Sequence, residues 1–112
     1  MKIALPVAEG KLCLHFGHCQ GFLILTVDKQ AKRILAQDFI PAPEHQPGLL
    51  PRFLAEKGVN VIITGGMGRR AQEYFREYGV EVILGAPAQD PVEIVQAWLE
   101  DRLEPGENVC DH

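Results

Sequence analysis

The sequence predicts a single α/β domain built on a five-stranded mixed β-sheet. Three apolar runs at 2–8, 22–27 and 33–40 are typical of strands, and the last two flank a short polar connection that is typical of a hairpin. After residue 48 the pattern changes to alternating helix and strand. A hairpin followed by β-α-β units predicts a mixed sheet that is covered by helices.

Helical periodicity first appears after a proline-rich loop. Apolar residues recur at helical spacing from Leu49 to Leu54, and Gly58 suits the left-handed position that often ends a helix. The second predicted helix follows the glycine turn 65–68 and stops at Gly79. Two helices with glycine stops are therefore expected before the last strand.

The remaining strands and the third helix complete the pattern. Continuous apolar runs at 59–64 and 80–84 predict two buried strands. Asp90 is expected to cap the third helix, with Pro91 in its first turn and Glu93 as the capping-box acid. We expect one domain over residues 1–106 and a short tail over 107–112.

The bulk composition narrows the function classes. Apolar residues make up 46% and charged residues 23%, as in an ordinary globular protein. The net charge of -4 and the lack of a basic stripe argue against a nucleic-acid partner. No apolar run is long enough to span a bilayer, and the N-terminus lacks a signal-peptide pattern. We therefore expect a cytoplasmic protein without a membrane partner.

Cysteine and histidine are strongly clustered in this chain. It has three cysteines and four histidines, and all of them except His45 lie within 13–19 or 110–112. Thiolate and imidazole are the ligands that hold zinc, copper and iron–sulfur species. The candidate metal ligands are Cys13, His15, His18, Cys19, Cys110 and His112. The alternative interpretation is that the cysteines are small core residues.

The predicted topology brings three loops together. If the first strand is central, the loop 9–20, the loop that contains His45 and the glycine turn 65–68 all leave the same carboxyl edge of the sheet, where open α/β sheets bind ligands. We expect the turn to hold a cofactor through its backbone N–H groups. The candidate cofactor-binding residues are Gly65, Gly66, Met67, Gly68, Arg69 and His45. An ordinary tight turn explains the glycines equally well.

The C-terminal tail is expected to begin at the edge of the sheet opposite to that site. A helix that starts at the carboxyl edge ends at the opposite edge, so Cys110 and His112 must return across the sheet. About nine extended residues span roughly 30 Å, which is enough to return or to reach a second copy of the chain in a homodimer. A frayed terminus is the alternative.

Four segments along nearly the whole chain carry a resemblance to a known family. They are residues 15–19, 45–51, 65–71 and 110–112, which read HFGHC, HQPGLLP, GGMGRRA and CDH. Together they resemble the dinitrogenase iron-molybdenum cofactor biosynthesis family. The resemblance implies a three-layer, ribonuclease-H-like motif with a five-stranded mixed sheet and helices on both faces. It also implies a non-catalytic protein of nitrogenase cofactor biosynthesis that binds or carries metal–sulfur clusters.

The leading hypothesis is thus a carrier for a metal–sulfur cluster that contains iron, molybdenum or both, with cluster donor or acceptor proteins as partners. One alternative is a thiol enzyme or redox sensor in which His18 activates Cys19. Another is a zinc-binding regulatory protein. A nuclease lacks support, since Glu9, Asp28 and Asp38 show no spacing typical of a two-metal carboxylate site.

Overall fold

One mixed sheet organises the part of the chain that the structure describes. The computed structural model describes residues 1–13, 19–41 and 49–103. The elements in chain order are β1 (Lys2–Ala8), β2 (Lys11–Leu12), β3 (Gly21–Asp28), β4 (Arg33–Pro41), α1 (Leu49–Glu56), β5 (Val61–Ile63), α2 (Arg69–Glu77), β6 (Glu81–Ile83) and α3 (Pro91–Leu99). None of the helices in these ranges is long and apolar enough to cross a membrane.

The strand order confirms the predicted topology. It runs β4-β3-β1-β5-β6, with β2 paired to β1 beside this path. The hairpin partners β3 and β4 continue the sheet antiparallel on one side of β1, and β5 and β6 continue it parallel on the other. Strand β1 is therefore central, because both the hairpin and the β-α-β units add to it.

Alternation along the strands divides the core into two layers. Ile3 and Leu5 of β1 pack with residues of α3, whereas Ala4 between them packs with residues of α1 and α2. We call these two sides of the sheet the α3 face and the α1/α2 face. Helices thus cover both faces, as the three-layer expectation required.

Two predicted strands are shorter than their apolar runs, for one physical reason. Val59 donates its N–H to the carbonyl of Leu54 at 3.2 Å, and Val80 donates to Phe75 at 2.9 Å. Each valine follows a glycine with positive φ, so both helices end in a Schellman motif whose apolar residue packs into the core. The first apolar residue of each run therefore belongs to the end of a helix.

The third helix begins with the predicted cap and first-turn proline. The Oδ1 atom of Asp90 accepts a hydrogen bond from the Val92 N–H at 2.8 Å, and Pro91 occupies the first turn. This bond satisfies one of the N–H groups that a helix start leaves without an intrahelical partner.

Strand β2 is an addition to the five predicted strands. Glu9 has φ 53° and Gly10 has φ 80°, the signs that a two-residue type I′ hairpin requires. The chain therefore folds straight back, and Leu12 pairs with Val7 while Lys11 pairs with Ala8. The strand after this turn could not be predicted from the sequence, because two residues carry no periodicity.

Candidate functional site

The strand register brings several chain segments to one edge of the sheet. Val7 of β1 pairs with Gly21 of β3, and Gly21 pairs with Pro41 of β4. Strands β5 and β6 run parallel to β1, so they end at this same edge. We call it the carboxyl edge. The ends of the loop 13–19, the glycine turn and the end of β4 all lie here, as the predicted topology implies.

Cys13 follows β2 and lies beside the end of β1. Its N–H donates to the carbonyl of Pro6 at 2.8 Å, which continues the β1–β2 pairing by one residue. Leu12 is buried in the core of the α3 face. Because side chains alternate along an extended chain, Cys13 belongs to the opposite, α1/α2 face. Its side chain is half-buried there.

Cys19 lies on the other side of β1 and on the same face. It is half-buried and packs against the core cluster under α1 and α2. The next residue, Gln20, donates its N–H to the carbonyl of Val7 at 3.0 Å. Successive carbonyls of a strand point to opposite sides, so Pro6 holds Cys13 on one side of β1 and Val7 holds Gln20 on the other. The two cysteines therefore flank the end of the central strand.

The side chain of Gln20, which is not among the predicted site residues, makes a hydrogen bond at the end of this loop. The Oε1 atom of Gln20 accepts a hydrogen bond from the Glu9 N–H at 2.9 Å, which ties the end of the loop to the hairpin turn before it. Gln20 thus fixes the span between the two cysteines through both its backbone and its side chain. Nothing in the sequence alone indicates this role, since it depends on the β1–β3 register.

The glycine turn is partly a structural turn. Gly65 and Gly66 are buried; the carbonyl of Gly65 accepts from the Gly85 N–H at 3.0 Å, and that of Gly66 accepts from the Thr64 hydroxyl at 3.3 Å. Met67 is wholly buried in the core cluster under α1 and α2. Any contribution of these three residues to a ligand must therefore come from the backbone.

The residues after this turn make the start of α2, on the α1/α2 face of the carboxyl edge, positively charged. Gly68 is the N-cap of α2, and having no side chain it leaves the first N–H groups of the helix uncapped by a side chain. Arg69 and Arg70 follow it, and both are exposed. The positive end of the helix dipole adds to the two guanidinium charges. This helix start is suited to an anionic ligand.

The structure describes only part of the predicted ligand set. The structure describes Cys13 and Cys19, whereas His15, His18, His45, Cys110 and His112 lie outside the described residues. Within the ranges 1–13, 19–41 and 49–103, no group of three Cys, His, Asp or Glu side chains is arranged to hold a metal ion. The metal-ligand assignment stays a prediction.

Solved structures with the same fold define the class of protein. The crystal structure of PH0822 superimposes with a TM-score of 0.86 at 25% identity, and the alignment covers 94% of each chain. The apo form of the orange protein from Desulfovibrio gigas gives 0.75 at 21% identity, covering 96% of this chain and 93% of its own. The chain is thus a small α/β domain of the same architecture as these proteins.

The family follows from the sequence match. Residues 1–101 match the family model described as dinitrogenase iron-molybdenum cofactor, so the chain belongs to this family; the match includes the motif segments 15–19, 45–51 and 65–71. An uncharacterized protein of Methanocaldococcus jannaschii, MJ0580, is 30% identical over 107 residues, which are 93% of this chain and 90% of that protein. The family name associates the domain with the cofactor of dinitrogenase.

Proposed function

We propose that this protein is a non-catalytic carrier of a metal–sulfur cluster that contains iron, molybdenum or both. The cluster is its cargo, bound between the loop 13–19 and the turn 65–68. One observation carries the proposal: Cys13, Cys19 and the start of α2 share one face of the carboxyl edge. Soft ligands and a positive helix start therefore lie on the same face of this sheet edge, which supports the proposal.

The chemistry of the two groups is complementary. Thiolates are the preferred protein ligands of iron–sulfur clusters. Sulfide-rich clusters carry negative charge, which the backbone N–H groups of α2 and the guanidinium groups of Arg69 and Arg70 can stabilise. In the proposal, His15, His18, Cys110 and His112 complete the ligand set, and His45 and the backbone of 65–68 contact the cargo.

The family supports a role in cofactor handling over a reaction of the protein's own. A carrier receives its cluster from a donor protein and passes it to an acceptor, so we propose such partners and a place in nitrogenase cofactor biosynthesis in the cytoplasm. A structural neighbour is named the orange protein, and its structure is that of the apo form. This supports a cargo that absorbs visible light.

Anaerobic reconstitution tests the proposal. The full chain is incubated with ferrous iron and sulfide, with or without tetrathiomolybdate, desalted, and assayed for visible absorption and for metal and sulfide content. We expect a coloured protein with stoichiometric metal and sulfide. The double variant Cys13→Ser/Cys19→Ser should lose the colour. Arg69→Gln/Arg70→Gln should bind less cluster, whereas Arg76→Gln, at the other end of the same helix, should bind as the wild type does.

Two results would overturn this function. One is a wild-type protein that takes up no metal and sulfide under any of these conditions. The other is cluster uptake that the loss of both thiols leaves unchanged. Stoichiometric uptake of zinc without sulfide would instead support a zinc-binding protein. Circular dichroism of each variant shows whether it remains folded, so that a loss of binding is not confused with a loss of structure.

A further inference from the structure

A groove opens at the carboxyl edge on the α3 face, opposite the face that carries the two cysteines. The volume of this groove is about 460 Å³. The ends of β1, β3 and β4 form one wall, and the first turn of α3 forms the other. Open α/β sheets commonly bind ligands at this edge. The cluster proposal does not use this groove, because it lies on the other side of the sheet.

The strand side of the groove is apolar and includes a large exposed ring. Val7, Leu23 and Phe39 line it, and Phe39 remains 52% exposed. The ring of Phe39 lies directly over Gly21, where an added Cβ would come within 2.6 Å of the ring. The ring therefore packs on the backbone of a glycine, where any side chain would meet the ring and the carbonyl of Ile40. An exposed aromatic side chain in a preformed groove is typical of a docking anchor.

The rim of the groove is negatively charged. Glu9 and Asp90 contribute carboxylates, and Gln20 and Gln37 contribute amides. Among the described residues that line the groove there is no lysine or arginine. Asp90 caps α3, which offsets the positive end of that helix. An apolar surface with acidic groups on both walls favours a ligand that combines apolar and cationic groups.

We propose that this groove docks a segment of a partner protein in which an apolar side chain is flanked by lysine or arginine. The apolar side chain packs on Phe39, and the cations pair with Glu9 and Asp90. The identification of this partner as the cluster donor or acceptor rests on the function proposed above. The choice of an apolar, cationic segment rests only on the residues that line the groove.

The position of the groove connects docking to the cysteine loop. Gln20 lines the groove, follows Cys19 directly, and holds the N–H of Glu9. A partner on the α3 face thus contacts Gln20, which directly follows the loop 13–19, and the hairpin turn to which Gln20 is hydrogen-bonded. Docking here places the partner beside the cargo site without covering the face on which α2 begins.

A peptide titration of the cargo-free full chain tests the docking proposal. The probe is a blocked hexapeptide, Gly-Arg-Leu-Leu-Arg-Gly, and its counterpart carries glutamate in place of both arginines. Amide chemical shifts of the ¹⁵N-labelled protein report binding. We expect the arginine peptide to move the amides of Leu23, Phe39 and Val92, with an affinity that falls as salt is added.

Charge variants locate the binding. Glu9→Gln should weaken the arginine peptide about two- to fivefold, the range for one exposed charge pair. Gln37→Lys, which adds to the rim a positive charge that repels the arginines of the peptide, should weaken peptide binding further. Glu77→Gln is the matched control, because it removes an exposed carboxylate at the far end of α2. The control should bind as the wild type does.

The proposal is overturned by the absence of shifts at millimolar arginine peptide, by equal binding of the glutamate peptide, or by shifts confined to residues outside the groove. Concentration-dependent shifts of the same amides without peptide would assign the groove to a second copy of this chain, which also contradicts it. Since no cluster is present, these results are independent of cluster uptake. A protein that binds cluster but not peptide refutes only the docking site.

Discussion

The N-cap of α2 offers a test in which stability and cargo binding should change in opposite directions. Gly68 has φ −65° and ψ 155°, the extended conformation of an ordinary N-cap, and a Cβ at this position would meet nothing within 4 Å. An aspartate can therefore enter without strain. Its carboxylate would accept from the N–H groups of Arg70 or Ala71, as Asp90 does from Val92 at the start of α3.

The magnitude follows from three separate contributions. Replacing a glycine cap with aspartate is worth a few tenths of a kcal/mol. The charge at the positive helix end adds about 0.3–1 kcal/mol. Removing the freedom of glycine in the unfolded chain adds about 0.4–1 kcal/mol. Gly68→Asp should thus raise the free energy of unfolding by about 1–2 kcal/mol, or the melting temperature by about 4–8 °C.

The same substitution should impair cargo binding. The new carboxylate occupies the N–H groups that the proposed cluster needs and places a negative charge beside an anion, so we expect uptake to weaken about tenfold or more. Gly68→Ser, which caps without charge, should stabilise the fold and weaken uptake less. Differential scanning calorimetry measures the first effect, and anaerobic reconstitution measures the second.

A matched glycine at the other end of the helix gives the control. Gly79 also has nothing within 4 Å of an added Cβ, but its φ is +75°. Gly79→Asp should therefore lower the free energy of unfolding by about 1–2 kcal/mol, the cost of a side chain in the left-handed region. If Gly68→Asp melted below the wild type, the interpretation of α2 as a helix with an unfilled cap would be wrong. A stabilised variant with unchanged cluster uptake would refute the role of the helix start in binding.

Further substitutions test other parts of the structure. Gly21→Ala should destabilise the fold by about 1–3 kcal/mol in urea denaturation, because its Cβ would lie 2.6 Å from the backbone carbonyl of Ile40, which cannot rotate away. Glu9→Asn should raise the melting temperature, since asparagine tolerates a φ of 53° better than glutamate; a lower value would refute strain at this turn. The hydrogen bond from Gln96 holds the pKa of Glu100 below its usual value of 4.5, and Arg102 adds to the effect. Because the pKa of Glu100 is lower in the folded state, its ionised form stabilises the fold at a pH above the pKa of the unfolded state. This stabilisation is lost as the pH falls through the pKa of the folded state. Glu100→Gln should therefore reduce the loss of stability on acidification below pH 4.5.

The sequence predicted the fold well because strong local signals agreed with one another. The run 2–8 coincides with β1, and Asp90-Pro91 begins α3 as expected. The features that the sequence could not predict depend on individual backbone hydrogen bonds, which leave no periodic pattern. Strand β2 is too short for periodicity, and the apolar residues Val59 and Val80 look like strand while their N–H groups close helices.

The candidate site was predictable as a place but not as a set of contacts. Topology predicted that the cysteine loop and the glycine turn leave the same edge, and the register agrees. The burial of Met67 and the role of Gln20 were not predictable, because both depend on packing between distant segments. The histidines and the tail lie outside the described residues, so that part of the ligand set is still a sequence-based prediction.

The two helices that begin at the carboxyl edge differ in the charge that surrounds their first turns. Helix α3 starts with Asp90 and carries Glu93 in its first turn, so its positive end is compensated. Helix α2 starts with Gly68 and is followed by two arginines, so its positive end is reinforced. In the two proposals above, the α1/α2 face of this edge accordingly receives an anionic cargo and the α3 face receives a cationic segment. Because Gly68 provides no side-chain cap, the first N–H groups of α2 stay available to the proposed anionic cargo on the face that carries the cysteines.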